Sequence, residues 1–342
     1  MILVTGSNGF LGSAVVRQLA EADDTPIRCL VRPGSSTARI DDLIHSGRVE
    51  LHRGTLNSNF DCWSATEGVT TIYHLAAGMG GGAMADVWMT TVVATDNLMK
   101  ALAKRKTDGH SIDRMVHCSS FAVYGVAGLP PGTTVDEETP VETERSEADD
   151  YGHAKLRQEE LVREAAAAIG FELVVVRPGV VYGPGGSGLS RRIGIRQGNL
   201  MVAMGGKNLL PLAYVDNCAE AMVLLGRHPQ SSGETVNIHD DELLTAKEFL
   251  NRYRKEAEPL TTVSLPKPVT KGLAEAVSWY HKRSKGQMPA AISPHMFRAV
   301  WSGNTFDNAK LKSFGWAPSV STDEGLRRYF ASVAAERAAT SE

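Results

Sequence analysis

A tyrosine and a lysine four residues apart, Tyr151 and Lys155 in the segment DYGHAKL, have types and a spacing that could support chemistry. The segment continues as RQEELVREAAAAIG, which has the composition of a helix, so both side chains should share one helix face. An ammonium group beside a phenol, whose free pKa is about 10, favours the phenolate and so favours proton transfer near neutral pH. For these residues alone, a packed ring and a lysine stem lying along apolar surface is the simpler explanation. Other motifs in the chain must decide between the two interpretations.

A glycine-rich turn near the N-terminus, VTGSNGFLG, has the form of a dinucleotide-binding motif after a short apolar strand and before a helix. Gly6 permits a tight turn, Gly9 lets the backbone approach a pyrophosphate, and Gly12 allows the helix to pack closely on the strand. The spacing is G-x-x-G-x-x-G rather than G-x-G-x-x-G, and a purely structural turn is the alternative. The position after the first strand favours cofactor binding by Gly6, Ser7, Asn8, Gly9, Phe10 and Leu11.

The residue after the second predicted strand bears on which dinucleotide binds. A fold selective for NAD usually carries an acid about 20 residues beyond the glycine turn, where it holds the ribose 2′-hydroxyl. This chain reads CLVRPGSS, so Arg32 stands in that place, and Ser35 and Ser36 follow. A guanidinium beside hydroxyl groups suits a 2′-phosphate, which favours NADP over NAD. A solvated arginine at a strand end is the alternative and leaves NAD open.

Short β-branched apolar runs alternate with helical stretches through the first half of the chain, beginning with ILVTG, residues 10–21 and IRCLV. This alternation predicts parallel βαβ units, and the nearly continuous apolar strands indicate a sheet covered on both faces. We predict an α/β protein with a Rossmann-type doubly wound parallel sheet and a smaller C-terminal substrate-binding lobe. The predicted bounds are 1–180 with a return segment at about 207–240 for the dinucleotide-binding domain, and 181–206 with 241–335 for the lobe. Thr245 and Glu248 form a capping box that predicts the start of a helix in the lobe.

Composition and charge argue against several functional classes. The 342 residues include 42% hydrophobic and 22% charged residues with a net charge of −3, which is ordinary for a globular protein. No basic run suggests nucleic acid or an anionic membrane as a partner, and no apolar stretch is long enough to cross a bilayer. Four scattered cysteines without a C-x-x-C pair indicate reduced thiols rather than disulfides or a zinc site. We therefore expect a cytoplasmic protein without a metal.

Six short motifs follow one another along the chain: TGSNGFLG at 5–12, HLAA at 74–77, SSFAVYG at 119–125, YGHAK at 151–155, RPGVVYGPGG at 177–186 and YVDNCAEA at 214–221. In type and order they resemble the motifs of the extended short-chain dehydrogenases/reductases. This superfamily contains the NAD-dependent nucleotide-sugar epimerases and dehydratases, the dihydroflavonol-type reductases and the 3β-hydroxysteroid dehydrogenases. Each motif is weak alone, but together they are specific and favour proton transfer as the role of the Tyr-Lys pair.

The resemblance implies roles for residues around the nicotinamide. Tyr151 matches the general acid or base, and Lys155 matches the lysine that holds the nicotinamide ribose and favours the phenolate. Ser120, four residues before Tyr124, matches the hydroxyl that steadies the substrate oxygen, with Ser119 as the alternative. Hydroxyl groups satisfied at a strand end are the structural explanation of the two serines. The resemblance also adds residues that line the cofactor: Leu56, Leu75, Ala76, Ala77, Pro178 and Val180.

Departures from the family pattern bear on the substrate. Many nucleotide-sugar members carry an asparagine where Val180 or Val181 stands, and an arginine before the strand in NLLPLAYVD. Those polar groups hold the diphosphate and the sugar, whereas the matching residues here are apolar. We therefore expect an oxidoreductase that interconverts a secondary alcohol and a ketone, with a nucleotide-sugar epimerase or dehydratase that retains its cofactor as the alternative. The expected partners are a small-molecule substrate and, from the resemblance alone, a second copy in a homodimer.

Overall fold

A computed structural model of the protein describes residues 1–78, 84–142, 150–186, 189–190, 192–283 and 294–341. Its strands are β1 (Ile2–Thr5), β2 (Ile27–Val31), β3 (Val49–Arg53), β4 (Thr71–His74), β5 (Arg114–Cys118), β6 (Thr134–Val135), β7 (Glu172–Pro178), β8 (Val180–Tyr182), β9 (Gly194–Gln197), β10 (Leu200–Ala203), β11 (Leu212–Tyr214), β12 (Thr235–Ile238), β13 (Thr261–Ser264) and β14 (Thr305–Phe306). Its α-helices are α1 (Phe10–Ala22), α2 (Asp41–His45), α3 (Asn59–Ala65), α4 (Met84–Trp88), α5 (Ala94–Thr107), α6 (Asp150–Ile169), α7 (Val215–Arg227), α8 (Ala246–Glu256), α9 (Lys267–Arg283), α10 (Pro294–Trp301), α11 (Ala309–Ser313) and α12 (Thr322–Ser341). A π-helical turn over Met89–Val93 joins α4 to α5, and short 3₁₀ turns cover Phe121–Val123, Val126–Gly128 and Pro229–Ser231.

Seven parallel strands form the central sheet in the order β12-β7-β5-β4-β1-β2-β3. The predicted Rossmann-type doubly wound sheet is confirmed. The chain adds strands to one side of β1 and then continues on the other side, so the order reverses between β1 and β4. In open α/β sheets, ligands bind in the crevice beyond the carboxyl ends of the strands at this reversal.

Helices cover both faces of the sheet because successive strand residues point to opposite sides. On one face, Val4 of β1 packs with Leu19 of α1 and Met222 of α7. On the other face, the neighbouring Leu3 packs with Leu102 of α5 and other side chains from α5 and α6. Each such buried side chain stabilises the fold by about 1.5–3 kcal/mol relative to exposure. The central strands are therefore buried between these two layers of helices.

The elements after β7 include two small sheets that are separate from the central one. β8 pairs with β11, and β13 joins the antiparallel hairpin of β9 and β10. The predicted capping box is confirmed, because the Thr245 hydroxyl accepts from the Glu248 N–H at 3.2 Å and the Glu248 carboxylate accepts from the Thr245 N–H at 2.9 Å. It starts α8, whose Phe249 packs against Phe330 of α12. The division into a dinucleotide-binding domain and a substrate-binding lobe stays a prediction.

Candidate active site

The turn between β1 and α1 has the geometry of a phosphate-binding loop. Gly6 has a φ of 70°, in the left-handed region that favours glycine, and its carbonyl accepts from the Gly9 N–H at 3.0 Å. A Cβ atom at Gly6 would lie 3.0 Å from the backbone nitrogen of Ala76, just beyond β4. α1 begins at Phe10 without a side-chain cap, so its first N–H groups are available to an anion. These features fit a pyrophosphate at the helix N-terminus.

Gly12 lets α1 approach this turn, and its replacement by alanine has a predictable effect. A Cβ atom at Gly12 would lie only 2.0 Å from the carbonyl oxygen of Gly6, so we expect Gly12→Ala to lower the free energy of unfolding by about 1–3 kcal/mol or more. Gly272→Ala is the matched control, because Gly272 lies in α9 and a Cβ atom added there would meet no atom within 4 Å. The control should stabilise the protein by up to about 1 kcal/mol. Urea unfolding of both variants measures the contrast, and equal changes would contradict the packing role.

The loop after β2 is held against this turn. The Asn8 side-chain amide donates to the carbonyl of Ser36 at 2.8 Å. Arg32 directly follows β2 and is exposed. Arg53, the last residue of β3, donates to the carbonyls of Ser35 at 2.9 Å and of Arg32 at 3.3 Å. Two arginines from neighbouring strand ends therefore border the place where the adenosine ribose of a dinucleotide lies in this kind of sheet.

Lys155 and Ser120 lie at the carboxyl end of β5, and Tyr151 lies in the same helix as Lys155. The buried ammonium of Lys155 donates to the carbonyl of Cys118, the last residue of β5, at 2.5 Å. Ser120 follows two residues later, and its hydroxyl oxygen accepts from the N–H of Ala122 at 3.1 Å, so its hydrogen can be donated to a ligand. Tyr151 lies one helical turn before Lys155 in α6 and is partly exposed. The structure therefore places Lys155 at the strand end that Ser120 follows, with Tyr151 one helical turn away, and their catalytic roles stay a prediction.

The adjacent Ser119 is committed to a buried ion pair. Its hydroxyl donates to Glu159 at 2.6 Å, and the same carboxylate accepts from Arg177 at 2.6 Å and from Arg163 at 2.9 Å. The Arg177 guanidinium also stacks on the ring of Tyr124, with its carbon 4.7 Å from the ring centroid. These contacts anchor α6 to β5 and β7. Ser120, the next residue along the chain, is therefore the partly exposed serine at this strand end.

Two buried histidines lie close to Lys155. The rings of His74 and His117 stack with their centroids 5.6 Å apart. Burial, and then the charge of Lys155, lowers the pKa of His74 to about 3 and holds that of His117 well below its ordinary value. Burial also lowers the pKa of Lys155 to about 8, whereas the charges of Cys118 and Glu159 act in the opposite direction. Both histidines are therefore neutral at physiological pH.

The remaining predicted cofactor residues lie at strand ends along the same edge of the sheet. Leu75, Ala76 and Ala77 follow β4 and are partly exposed. Pro178 ends β7 and is buried, and the partly exposed Val180 begins β8. Leu56 follows β3, is buried, and accepts at its carbonyl from the Asn97 side chain at 2.9 Å. Their contacts with a cofactor stay predictions.

Metal clusters and membrane-spanning helices are both missing from the described residues. No group of three or more His, Cys, Asp or Glu side chains in the described ranges could hold a metal ion. Within the same ranges, no helix combines the length and apolar character that crossing a bilayer requires.

Comparison with known proteins identifies the group to which this site belongs. The sequence model of the NAD dependent epimerase/dehydratase family matches residues 2–238. The chain belongs to this family. It is an oxidoreductase of the extended short-chain dehydrogenase/reductase type, as the motifs predict, in a family named for its dependence on NAD.

Relatives of this family enzyme differ in the reactions that their names describe. A 2-alkyl-3-oxoalkanoate reductase from Stenotrophomonas maltophilia (strain K279a) is 28% identical over 98% of this chain and 99% of its own. A decarboxylating sterol-4-alpha-carboxylate 3-dehydrogenase from Schizosaccharomyces pombe is 25% identical over 98% of both chains. The crystal structure of a UDP-glucuronic acid 4-epimerase from Bacillus cereus in complex with NAD has a TM-score of 0.69 and 20% identity over 97% of this chain and 98% of its own. At that identity, the structural match shows a shared fold.

Three residues around the site of this family enzyme are missed by motif reasoning. Arg53 ends β3, and Arg32 directly follows the neighbouring strand β2. Because both arginines stand at the carboxyl end of a predicted parallel strand, the sequence could have indicated that they lie close together. Glu159 and Gln158 lie in the helix that carries the Tyr-Lys pair, but their partners come from distant strands. Sequence spacing alone does not show those partners.

Proposed function

We propose that the protein is an NADP-preferring reductase or dehydrogenase that interconverts a ketone and a secondary alcohol. The observation that supports this proposal is the bond between the Lys155 ammonium and the carbonyl of Cys118, two residues before Ser120, because it holds the helix that carries Tyr151 and Lys155 at this strand end. A bound nicotinamide dinucleotide would supply or accept the hydride. Gly6, Gly9 and the start of α1 would hold its pyrophosphate.

The side chains of this site have separate duties in the proposed reaction. Ser120 donates its hydroxyl hydrogen to the substrate oxygen and polarises the carbonyl. Tyr151 donates a proton to that oxygen during reduction and removes it during oxidation. Lys155 binds the nicotinamide ribose and, as a cation, favours the phenolate form of Tyr151. The hydroxyl groups of Tyr151 and Ser120 both act on the substrate oxygen. The hydride must therefore reach the carbon that is bonded to this oxygen.

The apolar character of the neighbouring elements favours a substrate without a nucleotide. Val180 and Val181 of β8 pack against apolar side chains, and so do Leu210 and Leu212, which are buried. These positions match those that hold the diphosphate and sugar in nucleotide-sugar members, and here they provide no charged group. The names of two relatives describe an oxoalkanoate and a sterol carboxylate as their substrates. We therefore propose a ketone with a large apolar body, and a 3-oxo acid with a 2-alkyl chain is the first compound to test.

Turnover assays separate this function from the alternative. The protein should oxidise NADPH when a 2-alkyl-3-oxoalkanoate is present and should leave UDP-glucose and UDP-glucuronic acid unchanged. A retained-cofactor epimerase would instead purify with bound dinucleotide and convert a nucleotide sugar without net NADPH consumption. That result would overturn the proposal.

The cofactor preference rests on Arg32 and Arg53 and gives its own prediction. Loss of one charge-assisted contact to a 2′-phosphate costs about 1.5–3 kcal/mol, so Arg53→Ala should weaken NADPH binding by at least about ten-fold. NADH lacks that phosphate, and its affinity should stay within about two-fold of the wild-type value, which makes it the internal control. Fluorescence titration of both cofactors measures the effect. Parallel losses for NADPH and NADH would show that Arg53 does not read the phosphate.

A further inference from the structure

A single amide side chain joins Lys155 to the end of β4. The Gln158 side-chain oxygen accepts from the Lys155 ammonium at 2.5 Å. Its nitrogen donates to the carbonyl of Ala76 at 2.9 Å and to the hydroxyl of Thr95 at 2.8 Å. Gln158 is completely buried. The amide therefore bridges the ribose-binding lysine and the strand end predicted to line the dinucleotide.

The surrounding hydrogen bonds fix the orientation of this amide. The Gln158 oxygen faces the Lys155 ammonium, which can only donate, and the Gln158 nitrogen faces the Ala76 carbonyl, which can only accept. The Thr95 hydroxyl and His74 Nε2 also lie within reach of the Gln158 nitrogen, at 2.8 Å and 3.2 Å. A flipped Gln158 would turn its NH₂ group toward the ammonium and its oxygen toward the Ala76 carbonyl. The oxygen of Gln158 therefore faces Lys155 in one orientation.

We propose that Gln158 is a positioning residue that holds the Lys155 ammonium between the ends of β4 and β5, where the proposed function needs it. The carbonyl of Cys118 provides one fixed acceptor, and the Gln158 oxygen provides a second acceptor from the helix itself. Two acceptors restrict the ammonium to one place and leave its third hydrogen for a ligand. A shorter or apolar side chain at position 158 would leave the lysine stem free to move.

The other groups near Lys155 do not replace this contact. On α6, Glu159 is paired with two arginines, and Tyr151 lies one turn earlier. On β4 and β5, His74 and His117 are held neutral by burial, and burial raises the pKa of the Cys118 thiol. Thr95 on α5 is uncharged. Loss of the Gln158 acceptor should therefore make the charged form of Lys155 less favourable.

The direct test is an NMR titration of the protein without cofactor, with lysine labelled by ¹³C at Cε. Lys155→Met assigns the Lys155 signal by its disappearance. Gln158→Leu should lower the pH midpoint of that signal by at least about half a pH unit, because a hydrogen bond to the charged form is lost. Thr95→Val is the matched control, since it removes another member of the same buried network without touching Lys155, and its midpoint should equal that of the wild type. An unchanged or higher midpoint in Gln158→Leu would overturn the proposal.

A second variant keeps the test decisive if Gln158→Leu fails to fold. Gln158→Glu retains an acceptor and adds a negative charge, so it should raise the Lys155 midpoint, and a midpoint that does not rise would overturn the proposal. The titration needs no turnover, so its outcome is independent of whether the proposed reductase activity is found. Where that activity is found, Gln158→Leu should also shift the pH dependence of kcat to higher pH, and Thr95→Val should not. A purely structural role would lower the melting temperature of both variants and leave both pH profiles in place.

Discussion

Tyr151→Phe is expected to lower kcat for ketone reduction by roughly 10²–10⁴-fold, because removal of the phenolic hydroxyl eliminates the proton donor. The ring remains, so the partly exposed side chain keeps its packing and the melting temperature should change little. NADPH affinity should also be retained, since Lys155 and the glycine turn are untouched. Stopped-flow or steady-state absorbance of NADPH with a 2-alkyl-3-oxoalkanoate measures the loss.

Tyr280→Phe is the matched control for this substitution. Tyr280 lies in α9 and is half exposed, so loss of its hydroxyl should leave kcat within about two-fold of the wild-type value. A Tyr151→Phe enzyme that retains full activity would show that another group transfers the proton. The Tyr-Lys pair would then be a packing feature, which is the simpler explanation of its spacing.

Glu159→Gln is expected to lower the free energy of unfolding by about 3–5 kcal/mol. The substitution keeps the size of the side chain but leaves the buried guanidinium of Arg177 without its counter-charge. Glu160→Gln, one residue later, is the matched control because Glu160 forms an exposed pair with Arg157. That pair should be worth at most about 1 kcal/mol. Urea unfolding measures both changes, and similar values for the two variants would contradict the role assigned to the buried pair.

The same pair should make stability depend on pH. Burial alone would raise the pKa of Glu159, but the hydrogen bond and charge of Arg177, with bonds from Ser119 and Arg163, hold it below its ordinary value. Because the folded-state pKa is the lower one, the stabilisation is fully present above the unfolded-state pKa and is lost as pH falls through the folded-state value. The unfolding free energy of the wild type should therefore fall with acidification below about pH 4, and Glu159→Gln should show a smaller dependence.

The parts of the site that sequence reasoning could identify are those specified locally. Gly6 and Gly12 act on atoms within one turn and one helix, so their spacing alone indicates the tight turn and the close packing of α1 on it. Alternating apolar runs likewise predict the doubly wound sheet, because each strand and helix must cover its own apolar face. Tyr151 and Lys155 share a helix face through their separation by four residues.

The missed parts depend on which strands become neighbours. Arg177 reaches Glu159 only because β7 lies beside β5 and under α6. Gln158 reaches Ala76 only because β4 lies on the other side of β5. Arg53 joins Arg32 through the pairing of β2 with β3. Such contacts join residues far apart in the chain, and hydrophobic periodicity carries no information about them.

The place of β1 within the sheet sets the order in which a growing chain can assemble its cofactor site. Ile2 pairs with Ile27 of β2 on one side and with Thr71 of β4 on the other. Gly6 also lies against Ala76, so the glycine turn after β1 is complete only after the chain has been made beyond β4. Lys155 then requires α6 against β5, which closes a longer segment still. We therefore expect a nascent chain to gain its full dinucleotide affinity only after residue 155 has been made, so a bound dinucleotide would stabilise strands that have already paired rather than guide their pairing.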